Sequence, residues 1–236
     1  MNAANHLIIY GDTLAKQVPP SYAAHAFNQF RQSMHLFELV RLCALWDSPA
    51  KDRESIPTVL ALVDKPEIIQ EAADRGRALY ANELQEVNLS PGATPEQRAA
   101  MRAGLDGLRQ RLAEEQAADV LARYDEARSQ AATVTASAEL AALRSFRDRY
   151  IAHNLNLAEP DPKQPTEVSG PKYGDENKLL ETTVEIADRL HRALNGTAFD
   201  WQGSRRIAAE NAQALWGACQ FVGIAQPPRK PTPAGT

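Results

Sequence analysis

The sequence predicts an all-α protein, and three observations carry that prediction. Apolar residues recur at helical spacing in one segment after another, and no alternating strand pattern of useful length interrupts them. Prolines and Ser, Thr or Asp residues mark the segment ends. Hydrophobic residues make up 44% of the 236-residue chain, ample for a core, while aromatics are only 6% and alanine is abundant, which favours closely packed helices. The expected architecture is a helical bundle with one extended pair of long helices. It forms a single domain over 1–226, followed by a disordered Pro-rich tail at 227–236.

Residues 2–18 contain the apolar patch Leu7-Ile8-Ile9-Tyr10 and read as a short helix or a docked arm, ended by Pro19-Pro20. From Ser21 to Trp46 a long helix is expected. It is apolar around much of its circumference, from Phe27 and Phe30 to Cys43 and Trp46, which places it in the middle of the bundle. Asp47-Ser48-Pro49 stops it. Ile56–Val63 is a short helix with Pro57 in its first turn, and Pro66 starts another that runs to about Val87.

Thr94-Pro95-Glu96-Gln97 then supplies a cap and a first-turn proline for a long charged helix over 95–129. Its thin stripe (Met101, Leu105, Leu108, Leu112, Val120, Leu121, Tyr124) suits an arm packed on one side, with the charges forming a solvated face. The next helix opens with Thr135 or Ser137 as its cap and Glu139 in the first turn. Beyond it, 155–175 is rich in Pro and Gly, a loop with no periodic pattern. Asp175–Asn195 is a helix closed by Asn195-Gly196, and Ser204–Gly223 is the last.

A net charge of −4 argues against a general nucleic-acid coat, so any nucleic-acid contact is a local patch. Cys43 and Cys219 lie far apart within apolar helical patterns and are expected to be reduced core residues of a cytoplasmic protein. No signal sequence and no apolar run near the ~18 residues of a membrane span is visible, so no membrane partner is expected.

One stretch looks more like chemistry than architecture: Ser137–Asn156, S-A-E-L-A-A-L-R-S-F-R-D-R-Y-I-A-H-N-L-N. At about 100° per residue, Leu140, Leu143, Phe146, Tyr150 and Ile151 fill one arc of a helix. Arg147 and Asn154 fall inside that arc, His153 and Arg144 lie at its two edges, and Arg149 points the other way. An arginine among apolar residues is not simply buried, because an unpaired interior charge is very costly. Arg147 must meet a carboxylate, line a cleft or face another subunit. A purely structural account remains open, with Arg147 paired to a carboxylate such as Glu38 and His153 capping its own helix. Arg144 is either a phosphate contact or a snorkelling surface arginine.

The five histidines form no metal-binding cluster, no H-E-x-x-H occurs, and neither a phosphate-cradling glycine loop nor a G-x-S-x-G elbow is present. No metal and no cofactor is expected. What remains is Arg147-Asp148-Arg149-Tyr150-Ile151-Ala152-His153-Asn154. This segment resembles the HEPN superfamily, whose mark is R-x(4–6)-H with a polar residue after the arginine. With L-V-R-L-C-A-L-W-D-S upstream, it is similar to the AbiU-type HEPN proteins of bacterial abortive-infection systems, over residues 20–220.

That resemblance implies a helical bundle that dimerises so that two motifs meet in one cleft. It also implies metal-independent ribonuclease activity of the toxin type, with RNA as substrate and an antitoxin or defence protein as partner. Arg147 and His153 would be the catalytic pair and Asp148 the polar residue that supports them; Arg144 and Asn154 are added here as RNA contacts from the helical wheel. Some HEPN toxins carry a tyrosine two residues after the histidine, the target of a modifying antitoxin. Here that position is Leu155, which removes that form of control. Two rival readings use the same residues differently: a non-catalytic interaction or nucleotide-sensing HEPN module, and a helical scaffold in which the 95–129 arm does the work.

Overall fold

In a computed structural model, the structure describes residue 4 and residues 11–81, 92–148 and 175–223, and every regular element among them is a helix. In chain order these are α1 (Asp12–Ala15), α2 (Tyr22–Ala44), α3 (Ile56–Val63), α4 (Pro66–Ala81), α5 (Pro95–Thr135), α6 (Ala138–Phe146), α7 (Asp175–Asn195) and α8 (Trp201–Trp216). The all-α expectation therefore holds. The chain divides into two compact units, one of residues 1–41 and 200–236 and the other of residues 42–199. The calls on Leu7–Tyr10, on most of the 155–175 loop and on the 227–236 tail lie outside the described residues.

The helix ends follow local chemistry. Ser55 caps α3 by accepting from the Thr58 N–H, with Pro57 in the first turn. Thr94 and Gln97 form a reciprocal capping box on α5. Gly196 leaves α7 at φ 68°, the left-handed conformation that glycine adopts without strain. Asp200 caps α8 through the Gly203 N–H, so this helix starts at Trp201, earlier than Ser204, and ends at Trp216.

The larger unit is organised around α5. Its buried residues are Ala113, Ala117, Val120, Tyr124, Ala127, Ala131 and Val134, alternating four and three apart. This spacing keeps a straight seam facing its neighbours, as in coiled coils. The seam packs against α4 and α7, and α7 answers with the same alternation at Leu179, Thr183, Ile186, Leu190 and Ala193. On α4, Ala72 and Ala73 are buried, and a Cβ placed on Gly76 would come within 3.2 Å of Val120. The thin stripe expected from sequence is thus only partly the packed face. Val120 and Tyr124 belong to it, but Met101, Leu108, Leu112 and Leu121 are exposed, and alanines take their place. The helix also runs six residues beyond the expected end at 129.

Large side chains close the unit elsewhere. Trp46 is fully buried and donates its indole N–H to Thr183 Oγ1 at 2.9 Å, and Leu140 and Leu143 of α6 are buried as well. Surface ion pairs such as Arg77–Glu114 and Arg189–Glu126 cross between helices but are solvated and contribute little each.

In the smaller unit, Phe27 meets Phe221 edge-on at 5.4 Å and Phe30 lies 6.1 Å from Trp216. Gln17 bonds the backbone at Cys219 and Phe221. The long helix α2 is not buried all round as its composition suggested: Phe37 is 52% and Phe30 43% exposed.

Two outcomes follow from the seam. Ala127→Leu, at a site with no exposure, overpacks it and is expected to cost about 1–3 kcal/mol in urea denaturation. Tyr124 donates to Asp64 Oδ1 at 2.9 Å, and burial together with that bond pushes its phenol up to about 12. The folded state therefore holds this proton more tightly than the unfolded chain. Stability is complete below pH ~10 and is lost as pH rises through the folded value. Tyr124→Phe should flatten that alkaline limb.

Candidate functional site

Helix α6 begins as its sequence directs: Ser137 accepts from the Leu140 N–H at 3.2 Å, and Glu139 sits in the first turn. Leu140 and Leu143 anchor its inner face. At Arg147 and Asp148 the backbone widens into a π-helical turn. Such turns are rare and recur at functional sites.

Arg147 sits where two carboxylates meet. Its Nη1 donates to Asp47 Oδ1 at 2.9 Å and its Nε to Asp148 Oδ1 at 2.8 Å. The arginine and Asp47 side chains are 23% and 29% exposed, whereas Asp148 is 57% exposed. Burial alone would favour loss of the guanidinium proton. The hydrogen bonds and charges of Asp148 and Asp47 outweigh it, so Arg147 is held more firmly protonated than usual. Its Nη2 has no hydrogen-bond partner among the described residues.

The neighbouring Arg144 reaches the same turn. Its Nη2 donates to the Trp46 carbonyl. Two arginines one helical turn apart on the 137–148 segment thus grip two consecutive residues just after α2. That turn is itself fixed, because Ser55 Oγ donates to the Asp47 carbonyl at 3.0 Å and the Ile56 N–H to the Leu45 carbonyl at 2.8 Å. Beneath it lies Cys43, a free and fully buried thiol. Burial raises its pKa, opposed by the charges of Arg147 and Arg144. Cys219 is also free but only partly buried, so it is not the core residue that its apolar pattern suggested.

The structure therefore brings together Arg147, Asp148 and Arg144 of the expected site residues. His153 and Asn154 lie outside the described residues. Asp47 is the residue that sequence reasoning missed. The carboxylates that meet Arg147 are those of Asp47 and Asp148. The available signal was positional: Asp47 closes the L-V-R-L-C-A-L-W-D-S stretch, but its pairing with a residue 100 positions later is a tertiary fact. A separate shallow groove between α5 and α7, of about 520 Å³, is lined by alternating charges such as Asp119, Arg123, Asp188 and Arg192. Its arginines are already paired with carboxylates on the same or the facing helix.

The sequence pattern of the HEPN_AbiU2 family, described as AbiU2, matches residues 3–215. The chain belongs to the HEPN AbiU2 family. No curated protein and no solved structure matches it. In this AbiU2-family protein the family match covers both the α6 segment and the turn after α2. The family is related to abortive infection. Among the described residues no helix is long and apolar enough to cross a membrane.

Removing one carboxylate tests whether the turn is held from α6. Asp47→Ala leaves a half-buried guanidinium with a single partner and is expected to lower stability by about 1–3 kcal/mol in denaturant titration. Asp47→Asn, which keeps an acceptor oxygen, should lose less. Equal losses for the two would mean that charge, not the hydrogen bond, dominates.

Proposed function

We propose that this AbiU2-family protein is a metal-independent endoribonuclease of the toxin type that acts in phage defence. In this reading Arg147 and His153 from two copies of the chain converge on one RNA-binding cleft. The observation that supports it most is the setting of Arg147. Its Nε and Nη1 are fixed by Asp148 and Asp47, and its Nη2 is left without a partner among the described residues. A guanidinium held this way keeps its charge and presents a donor whose direction is set in advance.

The chemistry needs no further group. The RNA 2′-oxygen attacks the adjacent phosphorus, the bond from phosphorus to the 5′-oxygen breaks, and a 2′,3′-cyclic phosphate and a 5′-hydroxyl result. One His153 takes the 2′-hydroxyl proton, and His153 of the partner subunit gives a proton to the leaving 5′-oxygen. Histidine suits both roles near neutral pH. Arg147 Nη2 donates to a phosphate oxygen as negative charge builds. Asp148 and Asp47 orient the guanidinium. Arg144 and Asn154 contact the RNA backbone beside it, and an antitoxin or defence partner restrains the activity.

A second reading draws on the same geometry. An arginine satisfied by two carboxylates is also what a structural clamp looks like, and then the protein is a non-catalytic HEPN interaction or nucleotide-sensing module.

Purified wild type, Arg147→Ala and His153→Ala separate the two. The enzyme reading expects cleavage of labelled RNA in the presence of EDTA, with cyclic phosphate termini, and a fall of about 10²–10⁴-fold in the His153 variant. Arg147→Ala should lose activity comparably while retaining its helical circular dichroism. Intact RNA with wild type, alongside binding of a nucleotide, supports the sensing module instead.

A further inference from the structure

The loop from α2 to α3 holds two buried hydroxyls that do more than cap a helix. Ser55 is 2% and Thr58 5% exposed. As N-cap of α3, Ser55 needs only to accept from the Thr58 N–H, which it does at 3.2 Å. Its own proton is left over, and the Asp47 carbonyl lies 3.0 Å away to receive it. Thr58 holds the third helical position, where a capping box would place Glu or Gln reaching back to the cap. Its hydroxyl turns instead to Ser55 Oγ at 2.8 Å and accepts from the Ala50 N–H at 3.2 Å.

Counting protons orders these contacts, because each hydroxyl has one to give. In one order Thr58 donates to Ser55, and Ser55 donates to the Asp47 carbonyl. In the other Ser55 donates to Thr58, and Thr58 donates to the Ala50 carbonyl at 3.3 Å. The first uses contacts of 2.8 and 3.0 Å, inside the ordinary O–H···O range of about 2.5–3.0 Å, and the second needs one beyond it. The first order prevails. Residues 47 and 50 are then both fastened to the first turn of α3, with the φ of Pro49 fixed between them.

Such a pair adds little net stability, since its bonds replace bonds to water. It adds direction. The Asp47 carbonyl is held by Ser55 while its carboxylate accepts from Arg147 Nη1 at 2.9 Å, so backbone rotation at this residue would swing the carboxylate away. Asp148, the other partner of Arg147, is the more exposed of the two and the weaker anchor.

We infer that Ser55 and Thr58 are positioning residues for Arg147, acting through Asp47. The effect on cleavage rests on the proposed ribonuclease reading, but the placing of the guanidinium does not.

NMR of the ¹⁵N-labelled full chain reads that placing without RNA. Arg147 is assigned as the side-chain signal that Arg147→Lys removes. Two charge-assisted hydrogen bonds restrain the guanidinium, so separate Nη resonances are expected in wild type. Ser55→Ala and Thr58→Val should each merge them, and Thr58→Ser, which restores the hydroxyl, should keep them apart. Thr94→Ala removes an equivalent cap from α5 and should leave the Arg147 signals unmoved. In RNA cleavage, Ser55→Ala and Thr58→Val are expected to lower kcat about 10-fold with little change in KM, short of the ~10²-fold that a 1 Å displacement costs. Arg147 signals that change as described in a protein whose wild type leaves RNA intact would support the positioning role and refute the nuclease reading alone. Nη resonances already merged in wild type, or unmoved by Ser55→Ala and Thr58→Val, would overturn the inference. So would a Thr58→Ser variant that behaves like Thr58→Val, or a Thr94→Ala variant that merges the Arg147 signals.

Discussion

The constraint on which the larger unit depends is how closely α4, α5 and α7 approach one another. That closeness is bought with small residues. Four of the seven buried positions on α5 are alanines, and α4 meets them with Ala72, Ala73 and Gly76. Each alanine buries little apolar area, so the stabilisation comes from many short-range contacts at high packing density and not from a few large side chains. Such a seam tolerates little change in size, which gives it positional accuracy. The bulky groups, Trp46, Ile186 and Leu190, are placed around it where there is room.

The candidate site borrows that accuracy. Its arginines come from the segment that follows α5 after a short break, with Ser137 setting where the new helix starts. Leu140 and Leu143 fix how α6 is rotated, and that rotation aims Arg144 and Arg147 at the turn after α2. The contacts there are polar, directional and charge-assisted, worth more than neutral hydrogen bonds of the same length. They sit on a frame whose own loops are tied by Ser55 and Thr58. A group meant to meet a phosphate gains from such fixing, because little rearrangement is then required when charge develops.

The helix content and most helix starts were legible in the sequence, because caps and first-turn prolines are local signals: Ser55-Ile56-Pro57, Thr94-Pro95 and Ser137 all do what their chemistry suggests. The packed face of α5 was not. Periodicity reasoning weights leucine and methionine over alanine, so it chose Met101, Leu108 and Leu112, and the structure buries Ala113, Ala117 and Ala127. Of the site, Arg147 and Asp148 were legible from the motif and from the cost of a charge in an apolar arc. Asp47 was not, since a residue in a turn has no periodicity to betray its partner.

Trp46 stands at the junction of these two parts. Its carbonyl is held by Arg144 and its indole by Thr183, which in turn donates to the Leu179 carbonyl within α7. One residue thereby links the guanidinium pair to the middle of another helix through three consecutive polar contacts. Motion at either end must be felt at the other. With Trp201 and Trp216 replaced by phenylalanine, the remaining indole becomes a built-in optical gauge, whose emission colour would register whether occupancy near Arg147 travels into the bundle.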